Sequence, residues 1–450
     1  MRKLATWAAI LATAPAAWAA ADGLPRHRLE PGTVLTYKAS GEGVYPKMTM
    51  TVEAETTAWV VGREGDGVRV ILRKGSRYET KWEGEPAPPK REPMDYEYGR
   101  IVLRPDGRIE TDEGDDVPYR LFPSRLFPRL PADQAQAESG WSARDEGQAE
   151  EARYSALRAE PGGWSFRVER FGPENRVYES TDEATYHFDA GRGLVRRIEG
   201  ERTQNYDFQA KGTEVEELTS VETLGPEKLA AFAKAADAFF EAERAYLAAA
   251  RAGVEDATKV DAALAEARAK LVAARDAAGE PAFREALDRR IERHDASAAN
   301  MVDDAKSRAD AIGKPATPWT FPGLDGKSHA LADYRGKVVV LDFWYRGCGW
   351  CVKAMPQMNA VAEDFAGRPV AVLGMNNDRD EGDAKLVAEV MGLKYPTIRV
   401  DPDFLDRCGV QGFPTVIVVD PEGVVRDVHV GYSKDLRAKL GKSIEALLSR

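Results

Sequence analysis

Cysteine is scarce in this chain: three in 450 residues, Cys348, Cys351 and Cys408. A disulfide-stapled secreted scaffold would use many paired cysteines, so these folds must stand on their own apolar cores. Histidine is equally sparse, at five. No second CxxC or CxxH accompanies Cys348 and Cys351, so four zinc ligands cannot be assembled from the sequence, and neither a metal nor a cofactor is expected. Positive charge is also in deficit: 63 Lys and Arg face 74 Asp and Glu, for a net charge of -11. A nucleic-acid partner, which calls for a basic face, is excluded on that balance. Beyond the first residues there is no apolar run long enough to cross a bilayer.

The first residues are different. Arg2 and Lys3 precede an apolar stretch from Leu4 to Ala17, and Ala17-Trp18-Ala19 and Ala19-Ala20-Ala21 offer small residues for cleavage. Residues 1–21 therefore read as an export signal peptide, with an uncleaved anchor as the alternative. No cysteine lies near the cut, which argues against a lipid anchor there. The expected location is the periplasm or another extracytoplasmic space. In such a compartment a lone CxxC points to redox chemistry rather than stapling.

The composition divides the remainder into three regions. From 22 to 225 the pattern is β: Thr49–Glu55, Val68–Arg73 and Trp164–Glu169 alternate with a period near two, and Pro105-Asp106-Gly107 and residues 189–193 supply turns. One-sided alternation predicts a curved antiparallel sheet with one wet face, built as two halves joined near 131–150. The tandem echo Arg120-Leu121-Phe122-Pro123 and Arg125-Leu126-Phe127-Pro128 reads as a proline-broken loop packing its phenylalanines. From 226 to 312 Ala, Glu, Lys and Arg dominate. Val260, Leu264, Ala267, Leu271, Ala274 and Ala278 recur at alternating spacings of four and three, and Phe283, Leu287 and Ile291 form another stripe. Breaks at Gly253 and Gly279-Glu280-Pro281 predict three helices, as a bundle or a coiled-coil spacer through which two copies could pair. His294 falls on the apolar side as a packed edge residue.

From 313 to 450 strands and helices alternate. Val338–Trp344 is apolar almost throughout, as a strand buried on both faces should be. The motif Cys348-Gly349-Trp350-Cys351 follows at once, and a helical stretch begins there. That order puts Cys348 at a helix N-terminus, where free backbone N–H groups and the helix dipole favour a thiolate. Cys351, one turn on, shares the helix face and can resolve a mixed disulfide. A purely structural disulfide is the competing reading. Cys408 reads as a small buried hydrophobe, with a third redox thiol as the alternative. Trp344 is expected in the core and Trp350 on the rim of the cleft.

Leu341-Asp342-Phe343-Trp344, the CGWC motif, Pro356 and Gly412-Phe413-Pro414-Thr415, in that order, resemble thioredoxin. The lead-in Gly313–Ala316, residues 324–327 and 331–337, and the extra stretch between 376 and 400 resemble the exported TlpA/ResA branch. The resemblance spans 313–450 only. It implies a thioredoxin-like α/β fold, with Cys348 as nucleophile and Cys351 as resolving thiol. It further implies Asp342 as the buried carboxylate beneath the pair, Pro414 as a cis-proline whose neighbour Phe413 meets an extended substrate, and Pro356 as a helix kink. Trp350 joins Phe413 and Pro414 as a substrate-binding residue. Two positions depart from the pattern: Gly349-Trp350 lacks the usual proline, and Ala354 stands where ResA-type proteins carry a glutamate, leaving proton handling to Asp342.

The expected protein is multidomain: a β-rich N-terminal domain, a helical spacer and a thioredoxin-like domain. Its expected activity is thiol–disulfide exchange with exported protein thiols or disulfides, reset by a membrane-bound thiol reductant. The rival is an envelope binding or scaffold protein with a subordinate redox domain.

Overall fold

The structure is a computed structural model that describes residues 23–84, 94–111, 121, 123–144, 151–205, 209–255 and 257–449. The expected export signal, residues 1–21, lies outside them, as do Arg120 and Phe122 of the tandem echo. The chain falls into two compact units: Met1–Arg170 with Asp182–Thr203 and Gln209–Ala230, and Phe171–Thr181 with Gln204–Phe208 and Ala231–Arg450.

The first unit carries strands β1 (Thr33–Tyr45), β2 (Met48–Glu64), β3 (Gly67–Trp82), β4 (Asp95–Leu103) and β5 (Ile109–Glu110). Short helices α1 (Pro123–Leu126) and α2 (Gln134–Ser139) follow. Then come β6 (Trp141–Arg144), β7 (Glu151–Tyr154), β8 (Arg158–Glu160) and β9 (Gly163–Phe171). After helix α3 (Pro173–Val177) the strands resume as β10 (Ser180–Asp189), β11 (Leu194–Gln204) and β12 (Ala210–Thr223). Eleven of them form one path, β5-β4-β3-β2-β1-β12-β11-β10-β9-β7-β6, and β8 adds to β9. The stretch from α1 to α2 thus leads from one edge strand, β5, to the other, β6. Alternation produces one buried face, where Leu35, Tyr37, Val70, Leu72, Phe166, Tyr186 and Phe188 pack in a single cluster with Leu121, Leu126 and Phe127 of the echo. His27 sits edge-on between Phe127 and Phe188, and burial lowers its imidazole to about 4.

Three helices follow: α4 (Pro226–Glu255), α5 (Val260–Ala277) and α6 (Pro281–Ala311). The stripe Val260, Leu264, Ala267 and Leu271 is buried within the chain. Phe283 stacks on Phe239, and the Tyr246 hydroxyl meets His294 Nδ1 at 3.0 Å, joining α4 to α6. The break expected at Gly253 falls two residues later, because α4 runs through Gly253 to Glu255. A glycine inside a long helix costs only about 1 kcal/mol, which the flanking turns offset.

The C-terminal region is thioredoxin-like. A hairpin of β13 (Thr320–Pro322) and β14 (Ser328–Ala330) precedes β15 (Val338–Trp344), α7 (Gly349–Asp364), β16 (Val370–Asn376), α8 (Glu381–Val390), β17 (Thr397–Arg399), α9 (Pro402–Cys408), β18 (Thr415–Val419), β19 (Val425–Val430) and α10 (Leu436–Leu448). The five-stranded sheet has the order β17-β16-β15-β18-β19, so β15 is central. It pairs parallel with β16 and antiparallel with β18. Every residue of β15 is buried. Val339, Leu341 and Phe343 face one core, and Val338 and Val340 face the other with Ala354 and Met358 of α7. Period two then directs Asp342 and Trp344 to the α7 side. Among the described residues no helix is long and apolar enough to cross a membrane.

Candidate functional site

The site is built where β15 ends and α7 begins. Cys348 is the N-cap of α7, with an extended backbone (φ -90°, ψ 91°), and its sulfur accepts the Cys351 backbone N–H at 3.1 Å. A cap position normally taken by Ser, Thr or Asp oxygen is here taken by sulfur. The same N–H and the helix dipole stabilise a thiolate when the pair is reduced. Cys348 and Cys351 form a disulfide, with Cα atoms 5.2 Å apart. Both lie in an apolar cluster with Trp344, Val352 and Met355, at 7% and 2% exposure.

Asp342 sits two residues before Trp344 on the same face of β15 and is 2% exposed. Burial pushes its carboxyl up to about 7, and the Tyr395 hydroxyl, donating to Oδ2 at 2.9 Å, works in the opposite direction. Burial and the neighbouring carboxyl hold the Tyr395 hydroxyl well above its usual range, so it stays a donor. Asp342 therefore changes protonation near neutral pH, where a group that must take and return a proton is most useful.

The other expected residues line the same end of the sheet. The Phe413–Pro414 bond is cis. Pro414 is buried, and half-buried Phe413 packs against the cysteine cluster and edge-on against Tyr345, ring centroids 5.1 Å apart. Trp344 is fully buried, whereas Trp350 is 51% exposed. Trp350 stacks on Tyr432 at 5.4 Å, and the Lys353 ammonium lies over both rings at 5.2 and 5.3 Å. Pro356 lies inside α7. Cys408 is half-buried, away from the pair in the core on the other face of the sheet, and burial pushes its thiol up to about 11. It is thus held as an unreactive thiol at neutral pH.

Three participants were not visible in the sequence. Tyr395 meets Asp342 from 53 residues away. Arg346, buried just before the CxxC, receives the Asp378 carboxylate on its backbone N–H at 3.0 Å and sends its guanidinium to Asp383 at 2.6 Å. Its Nε donates to the Val177 carbonyl at 2.8 Å. Val177 itself is fully buried in the apolar cluster that holds the cysteine pair. An arginine two residues before Cys348 was the only available signal, and nothing in the strand-like pattern of 164–189 marks Val177.

Known proteins share this region. The Redoxin family matches residues 311–444. A thiol-disulfide oxidoreductase ResA of Geobacillus thermodenitrificans is 33% identical over 122 residues, which cover 27% of this chain and 70% of that protein. The thioredoxin-like protein YneN of Bacillus subtilis is 29% identical over 133 residues, 28% of this chain and 78% of that protein. A crystal structure of a putative thiol:disulfide interchange protein DsbE from Chlorobium tepidum is 30% identical, covers 30% of this chain and 97% of that one, and has a TM-score of 0.29.

Proposed function

Because this chain belongs, through its C-terminal region, to the ResA-like thiol–disulfide oxidoreductases, we propose that it is an exported enzyme exchanging disulfides with protein partners through Cys348 and Cys351. The observation that carries the reading is the Cys348 sulfur capping α7 and accepting the Cys351 N–H.

In the reducing direction the Cys348 thiolate attacks one sulfur of a substrate disulfide, and the other substrate sulfur leaves as a thiolate that takes up a proton. The Cys351 thiol then gives its proton to the Asp342 carboxylate and attacks the Cys348 sulfur. The second substrate thiolate leaves and can be protonated from Asp342. Two electrons have passed to the substrate, and the Cys348–Cys351 disulfide remains. An external thiol reductant, membrane-bound in our reading, returns the pair to dithiol. Oxidation of substrate thiols is the same path reversed. Phe413 and Pro414 border the approach to the pair, and the Trp350–Tyr432 stack with Lys353 offers an exposed platform beside it. The region 1–21, with its charged start, apolar stretch and small-residue ends, supports export.

The assignment of the attacking sulfur is tested by alkylation. Reduced protein treated briefly with limiting iodoacetamide near neutral pH should carry the label on Cys348, with Cys351 and Cys408 largely spared, as peptide mapping will read. Preferential labelling of Cys351 would reverse the assignment.

A further inference from the structure

The segment Phe171–Thr181 departs from β9 and returns as β10, yet it belongs to the same compact unit as the redox region. Its helix α3 ends on Val177, whose side chain is fully buried among Trp344, Cys348, Cys351, Val352, Met355 and Val387. The next residue, Tyr178, brings its hydroxyl to within 3.7 Å of where a side chain on Gly349 would begin, directly between the two cysteines. Val177 thus shares the cysteines' cluster, and the Tyr178 side chain reaches the CxxC turn itself.

One cation holds them. Arg346 donates from Nε to the Val177 carbonyl at 2.8 Å, reaches Glu179 at 3.3 Å, and is anchored on the other side by Asp383 at 2.6 Å. Glu179 adopts φ 47°, the one non-glycine residue at positive φ among the described residues. That conformation is uncommon for a side chain of this kind and persists only where surrounding contacts impose it. Its carbonyl accepts the Asn205 N–H at 3.2 Å, and this second short segment is part of the same unit.

Resting on the oxidoreductase reading, we propose that Phe171–Thr181 is an in-chain occupant of the substrate face, latched by Arg346, which folded protein disulfides must displace to reach Cys348. Thiolate attack needs an approach to the sulfur in line with the bond that breaks, and this requires an open path to the nucleophile. With Cys348 at 7% exposure and Val177 and Tyr178 on the motif, a small disulfide can enter past the edge, whereas a polypeptide laid along Phe413 and Pro414 meets the segment. The segment sets which disulfides are accepted, while Cys348, Cys351 and Asp342 set the chemistry.

Two measurements on the full chain test this. The first is kinetic. Glu179→Gln and Glu179→Lys, the second of which sets a cation against Arg346, weaken the latch at a residue outside the cysteine cluster. If the free face is a minor state of about a tenth or less, insulin reduction by the lysine variant should rise about tenfold, with hydroxyethyl disulfide reduction unchanged. Equal insulin rates in wild type and variants, with both substrates turned over, overturn the occupant and leave the oxidoreductase reading intact. Failure of every form to turn over either substrate overturns both.

The second measurement is independent of turnover. In a Cys351→Ala, Cys408→Ser background, Val177→Cys puts a thiol in the apolar cluster that holds Cys348. An aromatic disulfide, dithionitrobenzoate, supplies the oxidising equivalents. The Cys348 thiolate displaces one thionitrobenzoate, and the introduced thiol then displaces the other, leaving a disulfide between residues 177 and 348 with both halves released. Peptide mapping should find this cross-link within one chain. A Cys348 that keeps its thionitrobenzoate adduct, or cross-links only between chains, overturns the proposal.

Discussion

Cys351→Ala is expected to abolish turnover of protein disulfides, by on the order of a thousandfold or more, while preserving the attack step. The substitution removes the resolving sulfur and nothing that activates Cys348. The backbone N–H of residue 351 still points at the Cys348 sulfur, and α7 still begins there. The Cys348 thiolate therefore forms mixed disulfides that no internal thiol can release. Expressed as the full chain with residues 1–21 in place, the variant should accumulate high-mass species on non-reducing gels that collapse on adding reductant. Cys348→Ala should show none. The partner thiols, identified by mass spectrometry from the trapped species, would name the substrates directly. If Cys351→Ala forms no such species while Cys348 is still readily alkylated, the protein attacks no partner disulfide, and the scaffold reading gains.

Much of this site was legible because its logic is local. A buried apolar strand, an immediate CxxC and a helix put a cysteine at a helix cap by sequence order alone, and Cys348 does cap α7. Asp342 was implied by the resemblance to thioredoxin, and every residue of its strand is buried. The β-rich start, the helical middle and the thioredoxin-like end differ in pattern, as period two, a four-and-three spacing and βα alternation. What was missed depends on contacts between distant residues. Tyr395 tunes Asp342 through a bond that no periodicity encodes. Val177 lies in a short helix between two strands, where the sequence looks like a connection, and its burial comes from another region of the chain. Arg346 carries no sequence pattern that marks it, although its guanidinium meets three partners. Gly253 shows the opposite case: a glycine inside a long helix costs only about 1 kcal/mol, and α4 continues two residues beyond it.

Asp342→Asn is expected to slow disulfide exchange roughly ten- to a thousandfold, as loss of general acid–base help would, while making the protein more stable at neutral and alkaline pH. The two effects share one cause. In the folded protein burial raises the Asp342 carboxyl to about 7, against 3.8 for the free group. Below pH 4 the carboxyl is protonated in both states and costs nothing. As pH rises from 4 to 7 the unfolded chain loses this proton and the folded protein keeps it, so folding stability falls. Above pH 7 the loss is complete, on the order of 4 kcal/mol for a shift of this size. The amide cannot ionise and has no such slope, yet it retains an oxygen to accept the Tyr395 hydroxyl. Denaturant midpoints measured between pH 4 and pH 8 should therefore diverge, with the variant increasingly ahead as pH rises. The exchange rate of the wild type should carry a limb near pH 7 that the variant lacks. A variant with unchanged exchange rate and a lower midpoint at every pH would make Asp342 a packing residue, and proton transfer to Cys351 would have to be sought elsewhere.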